Sequence, residues 1–377
     1  MNPPNNLTPD QLGTLAKLQL KLSSLGVDGH FLPEVKVGPI VTLYKYVPTN
    51  ATRVSQVENR ADDLALALGV DCVQVSRLED GVGIFVPNAV KKLLKFTEAV
   101  SAVWTSKAKI PILLGMDHNG QTIVEDLTLL SHLLIAGSTG GGKSTLLNSV
   151  ISSLMYCRSS DDIKLVLIDT KQVEFTQFQK APHLLYPVVT SVRRTIDALD
   201  DLVSDVETRL QFMARSGAQN ILQMHERGKK LSYVVLIIDE LADILQDETR
   251  DEDEEGKPIG KKYGKQAEYL LGKIVQKARA TGIHVIAATQ RTSVKVVEGN
   301  IKANFPARIT FRLPSETDYR TILGTSGAEQ LLSQGDMLFI SPNSPAIRRI
   351  HAPYASIEDI KTAVEMAKAK EESRVKI

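Results

Sequence analysis

The stretch Leu133–Val150, LLIAGSTGGGKSTLLNSV, decides the fold. A short apolar run ends in a glycine-rich turn, after which a lysine and a serine open a helical pattern. Gly137 to Ser144 fit G-x-x-x-x-G-K-[ST], and the place after a buried strand and before a helix is where that motif works. Glycines lack Cβ atoms, so the backbone can wrap close enough for successive N–H groups to point inward at a triphosphate. On this reading Gly137, Ser138, Thr139, Gly140, Gly141, Gly142, Lys143, Ser144 and Thr145 form a nucleotide cradle. Lys143 neutralises β- and γ-phosphate oxygens, Ser144 offers its hydroxyl to Mg²⁺, and the helix N-terminus adds its positive end.

Working outward, short apolar runs alternate with longer helical stretches from Ser131 onward. HLLIAG, IKLVLID, YVVLIIDE, HVIAATQ and ARITFRL are too continuously apolar for half-exposed strands. They suit a mostly parallel sheet covered by helices on both faces, a doubly wound α/β domain. Val192, Ile196, Leu199, Val203, Val206, Leu210 and Met213 mark one long amphipathic helix that closes near Gly217.

YVVLIIDE ends in Asp239 and Glu240. An acid at the end of a buried strand beside a phosphate loop can hold magnesium through its water shell, and a second one can orient and deprotonate a water. Asp239 is assigned the metal role, with Ser144, and Glu240 that of general base. HVIAATQ ends in Thr289-Gln290, which in strand order can lie beside Asp239, so Gln290 is the candidate γ-phosphate sensor.

The N-terminal part reads differently. Residues 1–9 form a leader, and Leu12, Leu15, Leu18 and Leu22 step at helical spacing until Gly26. VKVGPIVTLYKYV reads as one strand, VSQVENRADDLALALG as a helix, and CVQVSRLEDGVGIFVP as a hairpin around Asp80-Gly81. Residues 10–107 are thus a small α/β domain and 108–365 the larger one, which opens with a hairpin around Asn119-Gly120 that leads into the glycine segment. Seven acids crowd between Asp247 and Glu255, within an insertion at 246–262 that reads as a solvated mobile loop. Residues 366–377 are a charged tail, a helix end or disorder.

The chain of 377 residues balances 45 basic against 44 acidic side chains, which leaves no overall attraction to nucleic acid or to an anionic membrane. Any polyanion site must be local. Two distant cysteines, Cys72 and Cys157, argue against a disulfide framework and against zinc. The start MNPPNNLTPD is no signal peptide, and no run reaches the roughly 18 apolar residues of a membrane span. The expected location is the cytoplasm.

The order of motifs then resembles the motor portion of the FtsK/SpoIIIE family of DNA translocases. The segments that carry the likeness are HLLIAGSTGGGKS, LVLIDTKQVEF, PHLLYPVVT, VVLIIDELADIL, IVQKARATGIHVIAATQRTSV, IKANFPARITFRL, DYRTILG and GAEQLLSQGDML. Upstream, GPIVTLYKYVP and its following helix look like the family's small α domain, so the likeness covers roughly residues 10–365. The resemblance implies a RecA-like P-loop NTPase domain and a homohexameric ring that passes double-stranded DNA through its pore, powered by ATP sites between subunits. It makes Arg279 the arginine sent to the neighbour's ATP, with Arg320 a second residue able to reach that boundary. Arg291, Lys295 and Lys302 become the DNA-tracking cations, suited to phosphates and not to bases. Read without the family, Arg279 is a helix-end cation and Arg320 a surface charge.

Several positions depart from the family pattern. Thr292 stands where proline is common, Thr170 interrupts a usual Asp-Pro-Lys, and Glu316 replaces a lysine that could sense phosphate. The acidic insertion has no counterpart. The chain carries neither a membrane region before the motor nor a winged-helix domain after it, which points away from the division septum and suits a mobile element. Two alternative readings keep the nucleotide site: an ATPase moving single-stranded DNA or protein, and an ATP-gated scaffold. A loading partner is not legible.

Overall fold

The computed structural model describes residues 7–49, 51–78, 80–255, 257–291, 303–324 and 331–375. They form two compact units. The first comprises residues up to 94 together with 116–122 and 349–351; the second holds 95–115, 123–348 and the residues from 352 on.

In the first unit, β1 (Gly29–Val37), β2 (Val41–Pro48), β3 (Gln74–Leu78) and β4 (Gly81–Pro87) build an antiparallel sheet in the order β1-β2-β4-β3. The run read as one strand is therefore a hairpin. Gly38-Pro39-Ile40 turns the chain, and the Gly38 N–H closes the turn on the Val41 carbonyl at 2.8 Å. The helices Pro9–Ser24 and Ala61–Leu68 bring Leu18, Leu22 and Leu64 onto Tyr44, Tyr46 and Ile84, all buried. Thr8 caps the first helix, with Gln11 closing a capping box.

The second unit holds most of a nine-stranded mixed sheet. Its strands are β5 (Pro111–Asp117), β6 (Thr122–Asp126), β7 (Leu133–Ala136), β8 (Ile163–Ile168) and β9 (Tyr233–Ile238), then β12 (Ile283–Thr289), β13 (Ala307–Thr310), β14 (Asp336–Ser341) and β15 (Ser344–His351), in the order β6-β5-β15-β14-β13-β7-β12-β9-β8. The five runs expected to be parallel are so, as the adjacent block β13-β7-β12-β9-β8. β14 joins it antiparallel to β13. Leu134, Val166, Leu236 and Val285 pack with the helices Val192–Arg215 and Tyr263–Thr281. The alternate residues Leu133, Leu165, Val235 and Ile286 are equally inaccessible, so both sheet faces are covered.

The acidic loop reading changes in the structure, and of the two readings of the tail the helix end is the one seen. The acidic insertion contains a two-stranded ribbon, β10 (Asp251–Glu252) with β11 (Pro258–Ile259). It is not bare loop because Asp251 has fixed partners: Arg193 and the Tyr263 hydroxyl both donate to it. The C-terminal tail is the end of a helix, Ile357–Val375. Lys370 donates to the Tyr156 carbonyl at 2.7 Å, and Ser160 bonds Glu371, which ties that helix to the end of the helix Lys143–Cys157.

Candidate nucleotide site

The glycine turn lies at the carboxyl end of β7, between β13 and β12. Neighbouring strands pin it. The Gly137 N–H donates to the Thr289 carbonyl at 3.2 Å, the Ser138 N–H and hydroxyl both donate to the Arg312 carbonyl, and the Gly335 N–H donates to Gly141. Gly142, just before the helix, has φ 121°, and a Cβ there would lie 2.8 Å from the Gly335 backbone. Gly137 backs onto Phe311 just as closely. Gly142 is therefore required twice, by conformation and by close approach, and Gly137 by close approach alone.

Lys143 starts the helix, and its side chain crosses towards β9. Its ammonium donates to the Asp239 carbonyl at 2.5 Å and to Asp239 Oδ1 at 3.0 Å, and it lies 3.8 Å from Glu240 Oε2. All three residues are at most 4% exposed. Burial pushes the Asp239 carboxyl above the ordinary carboxylate range, against the pull of Lys143.

Glu240 is fastened to β12. Its Oε1 accepts from the Thr289 hydroxyl at 2.7 Å, and its Oε2 accepts from the Gln290 N–H at 2.9 Å. The Gln290 side chain bonds the Thr139 hydroxyl at 2.9 Å, so one residue bridges the phosphate turn and the acidic strand end. Strand order points Gln290 towards Asp239, and the structure places its backbone on the adjacent Glu240. Thr145 follows Ser144 in the first helical turn.

Two acids here carried no assignment. The Ser144 hydroxyl donates to Glu174 Oε1 at 2.6 Å. Asp169, fully buried at the end of β8, accepts from the Glu174 and Phe175 N–H groups at 2.9 Å each through Oδ2, while its Oδ1 has no partner. Between them Gln172 holds φ 59°, an uncommon backbone for a non-glycine residue that marks a constrained loop. The available signal was LVLID itself, a second buried strand ending in an acid.

The other expected residues stay apart from this cluster. Arg279 lies exposed in the last turn of Tyr263–Thr281 and forms no ion pair among the described residues. Arg320 pairs with Glu316 at 2.7 Å on the exposed face of the helix Glu316–Leu323. Arg291 is exposed and donates to Gln246 at 2.8 Å. Lys295 and Lys302 lie outside the described residues. No described helix is long and apolar enough to cross a membrane.

Comparison with known proteins gives the same picture. The family model described as FtsK/SpoIIIE family matches residues 94–230 and 221–294, and that of the FtsK alpha domain matches residues 6–88. The DNA translocase FtsK of Campylobacter jejuni NCTC 11168 is 40% identical over 342 residues, covering 88% of this chain and 35% of that protein. FtsK of Helicobacter pylori J99 is 36% identical over 362 residues, 93% of this chain and 41% of its own length. The chain spans less than half the length of these curated relatives. Among solved structures, the pCW3 conjugation coupling protein TcpA, monomer form with ATPgS, superposes with a TM-score of 0.65 at 21% identity, over 95% of this chain and 99% of that one. The cytoplasmic domain of the Thermomonospora curvata type VII secretion ATPase EccC gives 0.59 at 19%, over 74% and 34%. Both share the fold, an α/β P-loop ATPase architecture, as the sequence led us to expect. By the family models and the identity to these translocases together, the chain belongs to the FtsK/SpoIIIE family.

Proposed function

We propose that the chain is an ATP-hydrolysing motor that moves double-stranded DNA, working as a homohexameric ring with nucleotide held at subunit boundaries. The observation that carries this reading is the gathering beside the glycine turn of Lys143, from the helix after β7, with Asp239 and Glu240, from the end of β9. A pure binding site needs the turn and the lysine. A buried second carboxylate held by its own hydrogen bonds adds a base, which favours hydrolysis.

Magnesium fits the residues present. Ser144, Asp239, Asp169 and Glu174 offer only hard oxygen donors, and Asp169 Oδ1 is a buried oxygen without a partner. This ion is commonly held by one or two carboxylates plus substrate phosphates, so a sparse protein ligand set suffices. Ser144 and Asp239 would hold it, and when bound it supplies charge neutralisation of the phosphates.

The chain's own groups do the rest. With nucleotide present, the Lys143 ammonium exchanges its Asp239 contacts for phosphate oxygens, and the turn amides hold the chain of phosphates. Glu240 orients an attacking water and takes its proton, while Gln290 reports the γ-phosphate to the turn through Thr139. Arg279, exposed and without an in-chain ion pair among the described residues, supplies the charge that the neighbouring site needs in the transition state. Arg291, Lys295 and Lys302 follow the DNA backbone.

Steady-state ATP turnover at low salt, measured without DNA, with long duplex and with single strands, tests the cargo. Stimulation by duplex well above that by single strands is expected. Equal or absent stimulation refutes the double-stranded DNA assignment.

A further inference from the structure

The opposite end of the same strands holds a second cavity, of about 590 Å³. It opens at the first residues of β8 and β9, Ile163 and Tyr233, whereas the phosphate turn sits at the carboxyl end of β7. The six residues of each strand set about 20 Å between the two ends. Its volume is within the range of small-molecule sites, roughly 300–1,000 Å³.

The lining is electrically lopsided. Lys109, Arg158 and Lys230 face it against one carboxylate, Asp162. Asp162 is engaged with Lys230 at 3.3 Å and with the Ser159 hydroxyl. The Arg158 guanidinium bonds only main-chain carbonyls, those of Lys109, Cys157 and Ala108, so its charge stays uncompensated by any acid among the described residues. A guanidinium held rigidly by carbonyls and still carrying its full charge is a preorganised anion partner.

Tyr233 adds an aromatic surface. It is 6% exposed and its ring lines the cavity. His225 packs edge-on against the Tyr233 ring at 5.6 Å and is fixed by the Leu231 carbonyl at 2.8 Å. With Ile163 and Leu231 these rings give the cavity an apolar wall beside its cationic rim.

We propose that this cavity binds a small phosphorylated ligand with an aromatic or apolar body, its anionic group held by Lys109, Arg158 and Lys230 and its body against the apolar wall. The site is separate from the candidate nucleotide site and stands whether or not that assignment does.

Calorimetric titration of the full chain carrying Lys143→Ala, which removes the ammonium of the phosphate turn, tests it with AMP as probe and adenosine as control. AMP is expected to bind one saturable site and adenosine to bind at least tenfold more weakly. Adding Lys109→Ala with Lys230→Ala, both surface changes, should weaken AMP at least tenfold. Absence of saturable AMP binding overturns the proposal, as does AMP binding that is matched by adenosine or indifferent to the two lysines.

Discussion

Thr289→Val removes one oxygen from the centre of the candidate site and changes almost no volume. The Thr289 hydroxyl has a single proton, and of its two acceptors Glu240 Oε1 at 2.7 Å is closer than the Arg291 carbonyl at 3.1 Å. The proton therefore goes to Glu240, and the same oxygen accepts from the Arg291 N–H at 3.1 Å. A hydrogen bond to a buried charged group contributes about 1.5–3 kcal/mol. At about 2–4 °C per kcal/mol for a unit of this size, the main-sheet unit should melt roughly 3–12 °C lower. Calorimetric melting of the variant measures this, and Glu240→Gln supplies the second arm of a double-mutant cycle. Against a neutral amide oxygen the hydroxyl contributes only about 1 kcal/mol, so Thr289→Val should matter only about one third to two thirds as much in the Glu240→Gln background. Nucleotide binding should persist, hydrolysis should fall, and Thr289→Ser should recover both rate and stability. A loss below about 0.5 kcal/mol, or an equal loss in both backgrounds, refutes the claim that Thr289 holds the carboxylate in place.

Three further outcomes follow from the same geometry. Gly142→Ala combines a disfavoured positive φ with a blocked Cβ, so it should destabilise by about 1–3 kcal/mol and weaken nucleotide binding; parent-like melting and affinity would contradict this. Arg279→Ala should bind nucleotide yet fail to hydrolyse it, and mixing it with Glu240→Gln subunits should restore some turnover, because one intact site can then be assembled from two chains. Failure of every mixing ratio would count against a shared site. The third concerns pH. His284 donates through Nδ1 to the Ser131 carbonyl and His132 Nδ1 accepts from Val285, so both buried rings are neutral, and burial brings them down to about 4 and about 3. The unfolded chain takes up these protons first, near pH 6.5, so stability is present above that pH and is lost on acidification towards pH 4, by up to about 1.4 kcal/mol per pH unit for each ring. His284→Asn, which keeps the Nδ1-type donor, should flatten that loss in urea titrations between pH 6.5 and 4; an unchanged slope would contradict it.

What could be read from the sequence was whatever local chemistry fixes. The phosphate turn was legible because its constraints are consecutive: glycines where the backbone must approach Phe311 and Gly335, then a lysine and serine at a helix start. The parallel block was legible because strands covered on both faces leave uninterrupted apolar runs. Glu174 was not, since its contact with Ser144 depends on a constrained loop that returns from β8, and nothing in its own neighbourhood encodes that return. The split of the first long strand turned on Gly38-Pro39, a turn signal set inside a β-rich run. The ribbon at 251–259 escaped notice for a different reason: a run of like charges reads as solvated until a distant cation, Arg193, is brought against it. Arg279 and Arg320 were singled out by the family likeness alone; within this chain Arg279 is an exposed helix-end cation and Arg320 is paired with Glu316.

The account turns on whether the carboxylate fastened to β12 is the base that cuts ATP. Phosphate release by the parent chain and by Glu240→Gln, each with ATP, magnesium and long duplex DNA, measures it directly. The account predicts sustained release by the parent and a fall of at least a hundredfold in a variant that still binds nucleotide. Release by Glu240→Gln at the parent rate, or none from the parent under any cargo, would contradict it.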